Sequence, residues 1–505
     1  MHHRSHHHHA EATAAPERAP RAHHRHRGHG HAHAAPHAAV AAEEPRRSWA
    51  PLVVLAIAQF MVILDVTVVN VALPSIGDAL SFGAGRLQWV ITAYVLFTGG
   101  LMLLGGRMAD LLGARRVFGA GLLVFTAASA ASGLAGSAGI LIAARAAQGV
   151  GAAMLLPAAL SLIALSYSGH QRAIALAVWG ALGSAGVAVG VLLGGVITSL
   201  LSWEWIFFVN VPIGLAVAVA LPRVIGADRP RSTGGRFDVL GAATVMAGLV
   251  ALVFGIDGAA EHGWTSTRTL APVAAGVALL AAFTAIERHA RQPLVPAGTW
   301  RLRPLRAGAV VMLGATGILV GAFFLNTLFL QHVLDATPMQ TGLAFLPLAL
   351  VILLAAHLAS HLLSHLGSRV VMVAGLLVAT GGALLLSRAP GEASYVADLL
   401  PGFLALGFGI GLTFVAVSVT AMHDVAHERA GLASGIMTTA HEIGAALGVA
   451  VLASVAAGAG DAAGIAGGYG DAFGIAAVIA AGLAVLAALT VPSVRPAPGS
   501  AVSMH

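Results

Sequence analysis

Arg145 is the single charge in the apolar run 140–164, ILIAARAAQGVGAAMLLPAALSLIA. A guanidinium in hydrocarbon costs about 2.5–3.5 kcal/mol on insertion scales, so it must face a bundle interior or water and find a partner. Asp65, inside the apolar run 51–72, is the partner the spacing offers. If the first run crosses outward and the fourth returns, a rise of ~1.5 Å per residue puts both groups about 10 Å below the outer surface. The chemistry of such a pair is a switch: protonating Asp65 releases Arg145 or a bound cation and couples proton uptake to rearrangement. The alternative is a static pair tying two helices together. Asn70 and Gln148 lie on the same two runs and are grouped with the pair as candidate coupling or substrate residues. Gly149 and Gly151 follow Gln148 at spacings that suit close approach of helix backbones.

Other polar groups recur inside apolar runs. Glu442, with His441 beside it, falls near the middle of GIMTTAHEIGAALG, where a carboxylate can carry a proton, bind a cationic substrate, or sit protonated between helices. His357, His361 and His365 recur every fourth residue and line one helix face. Such a stripe can relay protons or ligate a divalent metal; hydrogen bonding between helices, with Ser360 and Ser364 taking part, is an adequate explanation of it. No metal site is expected beyond these three candidates. Asp257 closes an apolar run at the outer surface and reads as a solvated boundary residue.

The elements that must position these groups are membrane helices. Hydrophobic residues make up 58% of the 505 and charged ones 10%, against about 25% in soluble domains. Fourteen apolar segments follow Pro51, with cores at 51–72, 88–105, 116–135, 139–164, 174–200, 205–222, 238–256, 269–286, 307–330, 342–364, 370–387, 399–420, 432–457 and 472–491. Each approaches the ~20 residues a spanning helix needs, and the alternating ten-residue pattern of a β-barrel is absent. Every basic residue is arginine, and there is no cysteine, which excludes disulfides and thiolate metal sites. The pI near 10.8 invites a nucleic-acid reading, but the arginines sit between apolar segments and report topology instead. With the N-terminus inside, Arg46, Arg47, Arg107, Arg115, Arg116, Arg172, Arg223, Arg229, Arg231, Arg236, Arg288, Arg291, Arg301, Arg303, Arg306, Arg369, Arg429 and Arg495 fall in the cytoplasm. Only Arg86, Arg268 and Arg388 fall outside, so both ends are expected to be cytoplasmic. Residues 1–48 hold 13 of the 24 histidines and no apolar stretch; they are expected to form a disordered tail, low in complexity or metal-binding, and not a signal peptide.

GRMADLLGARR at 106–116 is faintly echoed by SHLLSHLGSR at 360–369, as in transporters built from duplicated bundles. Taken together, several stretches resemble the major facilitator superfamily, in its fourteen-helix drug:proton antiporter branch, over residues 50–491. LDVTVVNVALP (64–74) resembles that branch's first-helix signature. The stretch 106–118 resembles the superfamily's cytoplasmic gating loop through Gly106, Asp110, Gly113, Arg115 and Arg116, departing at Leu111 and Ala114. Residues 141–153 are similar to the fourth-helix motif with its buried arginine. Gly186, Gly190, Gly194 and Gly195 match the antiporter motif of the fifth helix, with Val191 in place of its proline. SWEWIFFVNVPIG (202–214) matches with Glu204 in place of an arginine, and the acid at 442 is also a departure.

The resemblance implies an all-α major facilitator fold, two six-helix bundles plus two inserted helices. The boundaries are a cytoplasmic tail at 1–48, an N-terminal bundle at 49–222, loops and the additional pair at 223–303, a C-terminal bundle at 304–491 and a second tail at 492–505. It implies a tight latch loop at 106–116 opening the third helix. It also implies a multi-pass protein of the inner (plasma) membrane, expected to act as a monomer without cofactor or nucleic acid. The activity implied is proton-coupled export of small amphipathic or hydrophobic molecules, as in multidrug efflux and antibiotic resistance. The alternatives are export of one metabolite or of metal, or a non-transporting sensor on the same scaffold. No GxxxxGK[ST] loop and no catalytic triad or metal-hydrolase spacing is present, so neither ATP-driven export nor enzyme chemistry is expected.

Overall fold

Backbone groups in hydrocarbon have only one another as partners, so long apolar runs close into helices. The computed structural model describes residues 48–82, 86–226, 238–290, 293–296, 298–425, 430–457 and 462–494. The histidine-rich segment before residue 48 and the arginines at 46, 47, 229, 231, 236, 291, 429 and 495 lie outside them. Fourteen helices among the described residues are long and apolar enough to span a bilayer. They are α1 (Ala50–Ala79), α2 (Trp89–Leu112), α3 (Ala114–Gly133), α4 (Ala138–Ser166), α5 (Gly169–Leu200), α6 (Trp205–Val224) and α7 (Val239–His262). The others are α8 (Thr267–His289), α9 (Arg303–His332), α10 (Pro338–Leu366), α11 (Ser368–Leu386), α12 (Tyr395–Met422), α13 (Ala430–Ala456) and α14 (Gly464–Thr490). An even number of crossings puts the start of α1 and the end of α14 on one face, termed terminal; the opposite face is termed distal.

Packing repeats with an offset of eight helices. In the first half α1 packs on α5, and α4 on both α2 and α3; in the second, α9 packs on α13, and α12 on both α10 and α11. The halves meet where α2 faces α13 and α5 faces α10. Helices α7 and α8 pack on each other, and α7 leans on α2 and α13. This is two six-helix bundles plus an inserted pair.

The repeat extends to the backbone of two connections. Residues 106–112 are the last turns of α2 and not a loop, because nothing in MADLL breaks the helix before Gly113. Gly113 alone joins α2 to α3, at φ 96° and ψ 131°. Gly367 alone joins α10 to α11, at φ 80° and ψ 159°. That region of positive φ is open essentially only to glycine. The faint match of 106–116 with 360–369 thus marks the same one-residue hinge in each half.

Two further departures concern helix length. Asp65 lies fourteen residues before the end of α1, where half that number was expected, because the helix continues through Pro74 to Ala79. Leu73, Pro74 and Ile76 are buried, so neighbouring helices pack around the missing backbone donor. Helix α5 runs unbroken over 32 residues with no proline inside it. At the terminal face the Tyr167 hydroxyl accepts from Leu52 N (3.0 Å) and donates to the Ser48 carbonyl (3.1 Å), while its ring stacks on Trp49. Burial pushes that phenol upward, so it remains a donor.

Candidate functional site

The first, third, fourth and sixth helices bury their polar side chains at one place. Asp65 and Arg145 are 0% and 1% exposed, and Arg145 Nη1 stands 2.5 Å from Asp65 Oδ2. Such a pair persists in an apolar interior only when its remaining lone pairs and protons are also satisfied. Gln148 Nε2 and Asn210 Nδ2 each donate to Asp65 Oδ1 at 2.9 Å. Arg145 Nη1 also donates to Gln148 Oε1 (2.9 Å), and Nε donates to the Val90 carbonyl on α2 (3.0 Å). Behind them, Ser132 Oγ donates to Gln148 Oε1 (3.3 Å), Asn210 Nδ2 also donates to Ser129 Oγ (3.0 Å), and Ser129 donates to the Phe207 carbonyl (2.9 Å). One carboxylate is therefore bound, directly or through one intermediary, to α2, α3, α4 and α6.

Aromatic faces complete the cage. The guanidinium carbon lies 4.4 Å from the Tyr94 ring centroid and 5.7 Å from that of Phe207. Both rings present negative π-faces to the cation. The Tyr94 hydroxyl is buried with the rest of the side chain. Glycines let α4 come close enough: a Cβ on Gly149 would overlap the Tyr94 carbonyl, and one on Gly151 would stand 2.6 Å from Phe125 N.

Of the residues singled out in the sequence, Gln148 joins the pair and Asn70 does not. Asn70 donates back to the Val66 carbonyl of its own helix (3.0 Å), five residues and well over a third of a turn out of phase with Asp65. Asn210, Ser129, Ser132, Tyr94 and Phe207 were missed. Asn210 was legible as a lone amide inside SWEWIFFVNVPIG, and Tyr94 as one of only four tyrosines, set in an apolar run.

The glycines of α5 serve two seams. Gly186, Gly190 and Gly194 lie against Ile63, Thr67 and Val68 of α1, on the turns around Asp65. Gly195 faces Pro338 and Met339 of α10, whose Met339 N donates to Ser199 Oγ (3.1 Å). Gln331 of α9 also donates to the Val71 carbonyl of α1 (2.9 Å), so the halves are joined near the distal face.

Glu442 lies across from α2, its Cβ 2.5 Å from where a Cβ on Gly99 would stand. His357, His361 and His365 are exposed on α10, with the first two rings 5.2 Å apart. Ser360 and Ser364 bond to the Ala356 and His361 carbonyls of α10 itself, so they make no bond between helices. No group of three or more His, Asp or Glu among the described residues fits a metal ion. Asp257 is not a solvated boundary residue: α7 continues to His262, and its carboxylate accepts from Trp89 Nε1 (2.7 Å) and from the Gln88 amide. It ties the inserted pair to the start of α2.

The family model described as Major Facilitator Superfamily matches residues 55–449. The "Puromycin resistance protein pur8" of Streptomyces alboniger is 41% identical over 83% of this chain and 83% of its own. The "Cephamycin export protein CmcT" of Amycolatopsis lactamdurans is 40% identical over 80% and 84%, and the "Lincomycin resistance protein" of Streptomyces lincolnensis 38% over 82% and 86%. Among solved structures, an auto-inhibited POT family peptide transporter superposes with a TM-score of 0.65 at 14% identity, covering 90% of this chain and 99% of its own, a likeness of fold alone.

Proposed function

The chain belongs to the major facilitator superfamily, and from that premise we propose that it is a proton-coupled exporter of small amphipathic molecules. The single observation that carries the coupling is the sealed Asp65–Arg145 pair with Gln148 and Asn210 as further donors to the carboxylate. Three donors converge on two ionised oxygens. A protonated Asp65 carries a donor of its own among those three donors, and the guanidinium loses its counter-charge. Because that carboxylate joins α1 to α4 and α6, taking up one proton loosens the half as a unit. The glycine seam of α5 runs from the turns around Asp65 to α10, which carries the change to the other half.

Export as the direction is supported by relatives named for resistance and export. Export of one metabolite is the second reading, favoured by the relative named for cephamycin export. Among the described residues ten arginines lie in the terminal-face connections and helix ends and three at the distal ones, which supports a cytoplasmic terminal face in a plasma membrane. Gly106, Asp110, Gly113, Arg115 and Arg116 then form a cytoplasmic latch about the Gly113 hinge, and the protein works as a monomer. The test is accumulation of lipophilic compounds by everted vesicles under an imposed pH gradient. Accumulation that ignores the gradient in the wild-type protein overturns proton coupling.

A further inference from the structure

The segment HLASHLLSH (357–365) of α10 places a histidine at every fourth residue: His357, His361 and His365. Neither the carboxylate switch nor the seam between the halves uses them. Helix α10 holds no Asp, Glu, Lys or Arg, so no charge on the helix itself accounts for the imidazoles. Ser360 and Ser364 donate to the carbonyls of Ala356 and His361, so neither hydroxyl is spent on a ring. All three histidines are exposed, among exposed Leu353, Leu354, Leu358 and Leu366. His357 lies nine residues before the end of α10, so the stripe occupies the last ~14 Å before the terminal face.

Two imidazoles one turn apart on a helix have the spacing of H-x-x-x-H metal ligands, because both rings project from one face. The ring centroids of His357 and His361 are 5.2 Å apart. With Zn–N distances of about 2.0–2.1 Å, an ion lies about 3.2 Å from each ring centroid, and two rings on a tetrahedral ion stand about 5.2 Å apart. We propose that the pair His357–His361, or in its place His361–His365, binds a divalent transition-metal ion such as Zn2+. The second imidazole is held one turn from the first, so its binding is intramolecular and a single helix suffices to chelate. His357 and His365 are ~12 Å apart along the axis, too far to share an ion, so His361 belongs to whichever pair is loaded. No group of three such ligands forms among the described residues, and water fills the other positions. An ion there joins successive turns where α10 runs into the Gly367 hinge and stiffens that end of the second half. It is separate from the Asp65–Arg145 site and does not depend on the exporter reading.

Diethyl pyrocarbonate footprinting of the purified full chain, resolved residue by residue by mass spectrometry, tests the pair without interference from histidines elsewhere. Zn2+ in excess over the 24 histidines slows modification of His357 and His361 about tenfold, because a coordinated nitrogen has no lone pair left to react. Mg2+, which takes oxygen ligands, leaves the rates unchanged. His170 and His289 have no histidine within four residues and serve as references that Zn2+ does not protect. His361→Gln alters an exposed residue common to both pairs, and it abolishes protection of His357 and of His365. Amide exchange over residues 361–367 slows with Zn2+ in wild type and not in His361→Gln. Modification that ignores Zn2+, protection of His357 that survives His361→Gln, or equal protection of His170 and His289 each overturns the site. Protection of the rings with no slowing of amide exchange overturns the stiffening.

Discussion

Replacing Asp65 with asparagine keeps the shape of the side chain and removes its charge and its titration. The structure sets the size of the effect. Asp65 receives Arg145 Nη1 at 2.5 Å and the Gln148 and Asn210 amides at 2.9 Å, all with essentially no solvent contact. An asparagine turns an amide toward at least one of those donors. It also leaves a guanidinium that is 1% exposed with only the Val90 carbonyl, Gln148 Oε1 and two ring faces. Breaking a buried pair by removing one partner costs about 3–5 kcal/mol. The double variant Asp65→Asn/Arg145→Gln leaves no buried charge and should recover most of that loss. Arg145→Lys should lose stability as well, because an ammonium cannot reach Val90, Asp65 and Gln148 as a planar fork does. Unfolding in mixed micelles, followed by tryptophan fluorescence, measures the stabilities, and pH-driven uptake into everted vesicles measures coupling. Asp65→Asn should retain binding of substrate and lose gradient-driven accumulation. An Asp65→Asn protein as stable as wild type that still accumulates substrate along the pH gradient would refute the reasoning.

Two of the buried asparagines separate network from neighbourhood: Asn210→Ala should cost about 1–3 kcal/mol and impair coupled uptake, whereas Asn70→Ala, which frees only a bond within α1, should leave uptake near normal. Gly113→Ala and Gly367→Ala should each destabilise by about 1–3 kcal/mol in the same unfolding assay, since both sit at positive φ; equal stability would remove the hinge from either half. The chain has no cysteine, so single substitutions report topology cleanly. A cysteine at Trp264, in the connection after α7, should react with an impermeant thiol reagent on intact cells, and one at Gly226, after α6, only once the membrane is opened.

The number of helices was legible because length and apolarity are properties of each segment alone, and the pairing of Asp65 with Arg145 because a charge in hydrocarbon demands an opposite one. What was not legible depends on rotation about helix axes. Asn70 and Asn210 are chemically identical amides in apolar runs, yet one faces its own backbone and the other the carboxylate, a difference set by how α6 lies against α1 and α3. Asp257 looked solvated because its run of apolar residues ends there, while its partners, Gln88 and Trp89, belong to a helix that begins some 170 residues earlier. The latch stretch was misjudged for the opposite reason: its charges suggested a loop, but the leucines between them carry α2 on to the first residue that can take positive φ. Gly113 and Gly367 show what a weak sequence echo preserves. Around the two hinges Leu112 and Arg115 stand in register with Leu366 and Arg369 while most other positions differ, and the glycine is common to both because a residue at that positive φ must turn one membrane helix into the next within a single position.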